Sequence, residues 1–494
     1  MNEFGAFKKK TLSANVVPVV ETLPADLLTP LAVYLKLSQP AENSFLLESV
    51  EGGETLARYS FIGANPHMTV SGGQDSFRVC DSFGERVHTT SMLEYLRQHF
   101  RSTRADEGAE LPTFIGGAIG YLGFSCSHWF EPSLNTHVRA EGDDASLMFY
   151  RSVVAFDHAR QQIKIISLVM TDEAGGNDAA LQRLHDAAVR KNQRIRTVLE
   201  HYALPEMKTT GSASTGGGST ANWTKAEFEK SIRQIKELIR AGDCYQVVLS
   251  QCFSKSTTAT PISIYRAIRS LNPSPYMFLL KMGGKSVIGA SPEMLVRSRG
   301  TRLEYRPIAG TRPRGKTPEV DADLAQEMRC DHKEVAEHLM LVDLGRNDLG
   351  RVAEYGSVTV EGLMHVEKYS HVQHLVTNLS AELRAGLDQF DVLASCFPAG
   401  TVSGAPKIRA IEIIQAIEPT PRAEYAGAVG YFDYTGNMDT CIAIRTLVLE
   451  NGVAKVQSGG GIVADSVPEL EYYESKNKAR AMLKAIEIAE ASTG

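Results

Sequence analysis

The sequence predicts an α+β protein in which antiparallel sheets are layered with helices. Two observations carry this. Strand-like and helix-like stretches alternate irregularly, without the βαβ rhythm of a doubly wound sheet. The bulk composition, 43% hydrophobic and 22% charged over 494 residues, is that of a globular chain able to bury a large core. A third feature divides the chain. The run TTGSASTGGGSTA at 209–221 is rich in Gly, Ser and Thr and poor in apolar residues, so it reads as a flexible linker between parts at 1–208 and 222–494.

In the first part, SFLLES (44–49) is a short apolar strand. FIGGAIGYLGF (114–124) is apolar and Gly-rich but lacks GxGxxG spacing, so it points to close backbone packing rather than a dinucleotide site. Strands are expected at 151–156 and 162–169, and a helix at 177–199. The second part opens with a helix. Thr224 and Glu227 form a capping box, and Phe228, Ile232, Ile235 and Ile239 follow at helical spacing. Gly242-Asp243 stops it, and YQVVLS (245–250) reads as a strand. Helices are then expected at 326–341 and 471–489, with a strand-like run at 454–457.

Charge and cysteines exclude several functions. A net charge of −6 with no strong basic patch argues against nucleic acid. No run of 18 apolar residues predicts a membrane span. Lys8-Lys9-Lys10 is not followed by the apolar core of a signal peptide. Seven scattered cysteines with no CxxC pair fit reduced thiols in a cytoplasm.

The candidate chemistry lies in the second part. Glu334 and Glu337 share one helix face, and Glu471, Glu474 and Lys478 share another. Such faces are usually solvated, but two of them could clamp a hard divalent cation. His365, His371 and His374 lack HExxH and any cysteine partner, so they read as packed, surface or pocket-lining histidines rather than zinc ligands. Gly459-Gly460-Gly461 is either a plain turn or one whose N–H groups face an anion. FPAGTVSGAPK (397–407) runs into a helix from about Pro406, whose N-terminus suits a carboxylate. Arg445 stands in the otherwise apolar strand CIAIRTLV (441–448), where a buried guanidinium needs an anionic partner. These features point to a small anionic substrate and a divalent metal.

Nine segments then occur in order: GDCYQVVLSQ (242–251), ASPEMLVR (290–297), RPIAGTRPRG (306–315), DHKEVAEHLMLVDLGRNDLGR (331–351), FPAGTVSGAPK (397–407), YAGAVGY (425–431), CIAIRT (441–446), SGGGIV (458–463) and ELEYYESKNKA (469–479). With LLES (46–49), RYSFIG (58–63) and GGAIGYLG (116–123), the chain resembles the chorismate-utilising enzymes. The resemblance implies their fold, an α/β/β/α sandwich-like layering. It implies Mg²⁺ held by Glu337 and Glu474, with Glu334 and Glu471 on metal-bound waters. It implies that Tyr425, Arg445 and the Gly459–Gly461 backbone hold the enolpyruvyl carboxylate of chorismate. Gly310, Thr311, Thr401 and Lys478 would line the pocket, and Glu293 would protonate the leaving 4-hydroxyl.

Two positions favour the anthranilate-forming branch. Water-using relatives carry Lys where this chain has Gln246, an amide that cannot act as a base. The aminodeoxychorismate branch often carries a nucleophilic Lys where this chain has Ala309. The resemblance therefore implies ammonia attack at ring C2, with His374 supporting proton removal and pyruvate loss. The alternatives are formation of aminodeoxychorismate or aminodeoxyisochorismate, or a catalytically silent tryptophan sensor. LLES and NPSPYMF (272–278) resemble a tryptophan feedback site, implying contacts from Glu48, Ser49, Arg58, Asn272, Pro275, Tyr276 and Met277. No GxCxG elbow is present, so a separate glutamine amidotransferase subunit is expected to deliver ammonia, in a heterotetramer of two subunits of each kind.

Overall fold

The computed structural model describes residues 3–39, 41–49, 58–103, 105–106, 108, 110–135, 137, 139, 141–204, 218–369 and 372–491. Two antiparallel sheets, each of twelve strands among the described residues, lie face to face. The first runs in the order Val16–Pro24, Gln162–Met170, Ser152–Asp157, Tyr59–Ala64, Asn43–Glu48, Tyr276–Met282, Lys285–Ser291, Thr446–Glu450, Val453–Ile462, Gln246–Ser256 and Thr220–Ala221. Gly404–Ala405 pairs beside Gln246–Ser256. The second runs Ile308–Pro313, Val372–Glu382, Arg302–Tyr305, Met294–Arg299, Met438–Ile442, Ala428–Asp433, Gly117–Leu122, Ala145–Tyr150, Met68–Gly72, Phe77–Asp81 and Gly84–His88. Thr359–Lys368 adds to Val372–Glu382. Both sheets take strands from each side of the 209–221 run. Residues 209–217 of that run, and His371, lie outside the described residues; Thr220–Ala221 is a short edge strand.

The layering follows from side-chain alternation. In Asn43–Glu48, Phe45 points into the core between the sheets and Leu46 into the core beneath the helices. Their ladder partners Leu280 and Leu279 divide in the same way. A strand buried on both faces reads as consecutive apolar residues, as Phe45-Leu46-Leu47 do here between the buried Ser44 and Glu48. Aromatic rings bridge the sheets, with Phe61 and Tyr431 at 5.9 Å between centroids. Pro30–Ser38, Asp178–His201, Pro261–Leu271 and Pro468–Ala491 cover the first sheet, while His332–Gly350 and Gln389–Cys396 cover the second. The expected α/β/β/α layering is the observed one.

The Thr224 capping box forms as its residues dictate, each partner bonding the other's backbone N–H. The single helix expected at 326–341 is instead two, Pro318–Cys330 and His332–Gly350. Asp331 separates them with ψ 109°, and its carboxylate accepts from Lys333 N at 3.0 Å and Glu334 N at 3.2 Å. A helix cap inside a continuing polar and apolar rhythm leaves no gap in that rhythm, so periodicity alone runs through it.

Candidate active site

The chain crosses between the sheets at several places, and the site is built beside two of these crossings. Lys285–Ser291 belongs to the first sheet and Met294–Arg299 to the second, so Pro292 and Glu293 form the crossing. Met438–Ile442 and Thr446–Glu450 make the reverse crossing through residues 443–445. The two are tied together. Ile442 N donates to Glu293 O at 3.1 Å, Ala290 N to Arg445 O at 3.1 Å, and Ser291 Oγ to Ile442 O at 2.7 Å. Arg445 is therefore not within a strand as expected. It is the last crossing residue, at φ +49°, in the left-handed region a side chain seldom adopts. The apolar neighbours that suggested a continuous strand belong to two strands in different sheets and to the crossing between them.

A cavity of about 520 Å³ opens beside these crossings. Of the expected residues, Gln246, Glu293, Glu337, Thr401, Tyr425, Arg445, Gly459, Gly460, Gly461, Glu471, Glu474 and Lys478 line it. Burial pushes the Glu293 carboxyl up to about 7, with Thr401 and the Lys478 charge opposing. A carboxyl protonated near neutrality is suited to act as a general acid. Thr401 Oγ1 is buried at the wall, facing the Glu293 carboxyl. Arg445 has no carboxylate partner among the described residues, and burial lowers its pKa. A half-buried guanidinium left in that state demands an anion.

Elsewhere the wall is acidic. Glu337 comes from one helix, Glu471 and Glu474 from another. Burial, then the charges of Glu334 and Glu474, raise the pKa of Glu337; burial and the Glu474 charge raise that of Glu471. Lys478 Nζ meets Glu474 at 2.7 Å and donates to Gly459 O at 3.2 Å. Among the described residues no three His, Cys, Asp or Glu side chains form a closed metal cage. Carboxylates meeting from two helices, with Lys333 and Lys478 beside them, could hold Mg²⁺, which takes one or two protein carboxylates and completes its shell with water and substrate oxygens.

The three glycines are not a turn. They lie inside Val453–Ile462, with Gly459 opposite Ser250, Gly460 opposite Leu249 and Gly461 opposite Val248. Close approach explains them better than bending. A Cβ on Gly461 would fall 2.1 Å from Gln246 Nε2, and one on Gly459 2.4 Å from Leu249 O. A Cβ on Gly460 would stand 3.3 Å from Glu471 Oε2 and 3.4 Å from Glu474 Oε1. Side chains there would fill the floor between the amide of Gln246 and the acidic helix.

Gly310, Thr311, Glu334 and His374 form an adjacent cluster outside the cavity lining. Gly310, at φ +67°, has its carbonyl 2.8 Å from His374 Nδ1. A carbonyl can only accept, so Nδ1 carries the proton and Nε2 keeps its lone pair. Thr311 Oγ1 is 3.1 Å from the same nitrogen. Burial and the nearby Arg445 charge lower the His374 pKa, which keeps the ring neutral and basic at Nε2. Glu334 is bound by Arg312 Nη1 at 3.1 Å.

A second cavity, about 340 Å³, gathers Glu48, Ser49, Arg58, Pro275, Tyr276 and Met277. Asn272 is outside its lining; its amide meets Ser274 Oγ at 3.4 Å. The Glu48 carboxylate accepts from Tyr265 and Arg269 Nε. Asp439 accepts from Tyr276 and from Arg297 Nε, at 3.0 and 2.8 Å. Aromatic walls with a few fixed polar groups suit a small amphipathic ligand.

Sequence reasoning passed over Lys333 and Asp465 on the first cavity and Arg297, Asp439 and Tyr431 on the second. Lys333 was findable, since it stands one helical turn before Glu337. The others come from segments whose convergence only the strand order reveals.

Residues 42–484 match the family model described as chorismate binding enzyme. The chain is 44% identical over 484 residues to anthranilate synthase component 1 of Acetivibrio thermocellus, covering 96% of each. It superposes on the crystal structure of anthranilate synthase component I from Streptococcus pneumoniae with a TM-score of 0.73 and 35% identity, covering 94% of this chain and 99% of that one. The menaquinone-specific isochorismate synthase of Escherichia coli shares the fold, at a TM-score of 0.70 and 19% identity over 98% of this chain and all of the other.

Proposed function

The chain belongs to the chorismate binding enzyme family, and from that premise we propose that it aminates chorismate with ammonia at ring C2, loses the 4-hydroxyl and eliminates pyruvate to give anthranilate. One observation carries this reading. A single cavity holds a cation without a carboxylate partner, a carboxyl that burial keeps protonated near neutrality, and carboxylates converging from two helices. Chorismate has two carboxylates and a leaving hydroxyl, and the cavity offers a counterpart to each.

Arg445 and Tyr425 bind the enolpyruvyl carboxylate. Glu337 and Glu474 would hold Mg²⁺ directly, with Glu334 and Glu471 on its waters; the ion supplies positive charge against the ring carboxylate. Glu293 donates its proton to the departing 4-hydroxyl as ammonia, whose lone pair needs no activation, adds at C2. Gln246 offers an amide at the place where water-using relatives need a base. His374, neutral with Nε2 free, takes the C2 proton in the elimination, and aromatisation drives pyruvate out.

The second cavity takes tryptophan as a feedback inhibitor. Its lining connects to the acid by strand register: Tyr276 pairs with Ser291 and Met277 with Ala290, two and three residues before Glu293. Ser291 in turn accepts from Glu293 N at 3.4 Å. A glutamine amidotransferase subunit supplies ammonia, two copies of each subunit make the assembly, and the enzyme works in the cytoplasm. Among the described residues no helix is long and apolar enough to cross a membrane.

The metal assignment is tested by Glu474→Gln. Chorismate turnover should become undetectable at Mg²⁺ concentrations that saturate the unaltered chain. Retained Mg²⁺-dependent turnover would remove Glu474 from the site.

A further inference from the structure

We propose that Arg422, clamped by Glu418, is a positioning residue that holds three walls of the substrate cavity in register; this rests on the functional reading above. Glu418 ends the helix Lys407–Ile417, and Arg422 follows in the loop leading to Tyr425. Both side chains are buried, 3% and 1% exposed. Arg422 Nε donates to Glu418 Oε2 at 2.9 Å and Nη2 to Glu418 Oε1 at 2.7 Å, a two-pronged pair. The remaining donors reach backbone on separate elements. Nη1 meets Val402 O at 2.7 Å, and Nη2 meets Val248 O at 2.8 Å. The guanidinium also lies over the Tyr425 ring, 5.4 Å from its centroid, and over Phe124 at 4.7 Å.

Each held element carries cavity residues. Val248 stands in the strand of Gln246 and pairs with Gly461. Val402 follows Thr401 in the turn Gly400–Val402. Tyr425 is itself a wall. Glu418 adds a fourth link, since its Oε1 accepts from Ser250 N and Oγ at 2.8 Å each, and Ser250 Oγ meets Gln457 Nε2 at 2.8 Å on the cavity edge. Arg422 does not line the cavity. A buried ion pair is a weak source of stability, and an apolar pair of equal volume can serve the core as well or better. Such a pair could not donate to carbonyls on two different elements at fixed angles, which the planar fork does and an ammonium does poorly.

Arg422→Lys and Glu418→Gln, made in the full chain, test this by steady-state kinetics with chorismate at saturating ammonium and Mg²⁺. Both variants should melt cooperatively. In both, KM for chorismate should rise while kcat falls, so that kcat/KM drops on the order of 10²-fold, the scale of a displacement of about 1 Å. A pair serving stability alone would lower kcat through a smaller folded fraction and leave KM unchanged. Unchanged KM in the folded variants overturns the inference, as does failure of both to fold. Absence of turnover by the unaltered chain would instead bring down the functional reading, and this inference with it.

Discussion

At the residue scale, Glu293 and His374 are two titratable groups whose surroundings push them to opposite tasks. Burial raises Glu293 to about 7, so the acid form is filled below that pH and empties above it. With free ammonia held constant, kcat/KM for chorismate should therefore fall as pH rises through about 7. Glu293→Gln should remove that limb and cost roughly 10²–10⁴-fold in kcat, the usual contribution of a positioned acid. An unchanged pH profile would show that another group protonates the leaving oxygen. His374→Ala should leave amination running and release the aminated, non-aromatic ring, detected by mass; full anthranilate yield would take the elimination away from His374. Much of this was readable from the residues. A lone Arg among apolar neighbours already called for an anion, whereas the paired carboxylates read first as solvated helix faces and only allowed a metal. What the residues could not tell was their environment. The fate of Glu293 depends on desolvation at a crossing between sheets, which nothing in ASPEMLVR states.

At the scale of elements, the strand Tyr276–Met282 carries both halves of the control argument. Its first residues line the second cavity, and its ladder partner leads into Glu293. A ligand seated against Tyr276 and Met277 can favour one position of that partner strand, and typical couplings of this kind are about 1–3 kcal/mol. Ser49→Phe should fill the cavity wall, leaving uninhibited kcat within about twofold while raising the tryptophan concentration for half-inhibition by roughly tenfold or more, a loss of about 1.4 kcal/mol in tryptophan binding. Inhibition at the same tryptophan concentration would place the effector elsewhere. Elements were legible where local chemistry decides them, as with the Thr224–Glu227 box or the apolar run 44–49. They were misread where a long-range contact decides, or where a cap falls inside an unbroken rhythm. The glycine run belongs to a strand because it pairs along Gln246–Ser256, where Gln246 and Leu249 leave no room for a Cβ, and the residues at 326–341 form two helices because Asp331 caps the second.

At the scale of the molecule, the layering was legible as a class from irregular alternation, and in full only through the family resemblance. The strand order was not: neighbours such as Asn43–Glu48 and Tyr276–Met282 lie far apart in sequence, and no local pattern encodes their pairing. That order is what brings acid, guanidinium and acidic helices to one cavity, so the chemistry belongs to the whole chain rather than to any segment. The most direct measurement is product analysis of the purified chain with chorismate, Mg²⁺ and an ammonium salt, with and without tryptophan. Fluorescent anthranilate and pyruvate should appear in equal amounts, only with Mg²⁺ present, and decline as tryptophan is added. An aminated ring retaining its enolpyruvyl group, a hydroxylated isomer of chorismate, or no turnover at all would contradict it.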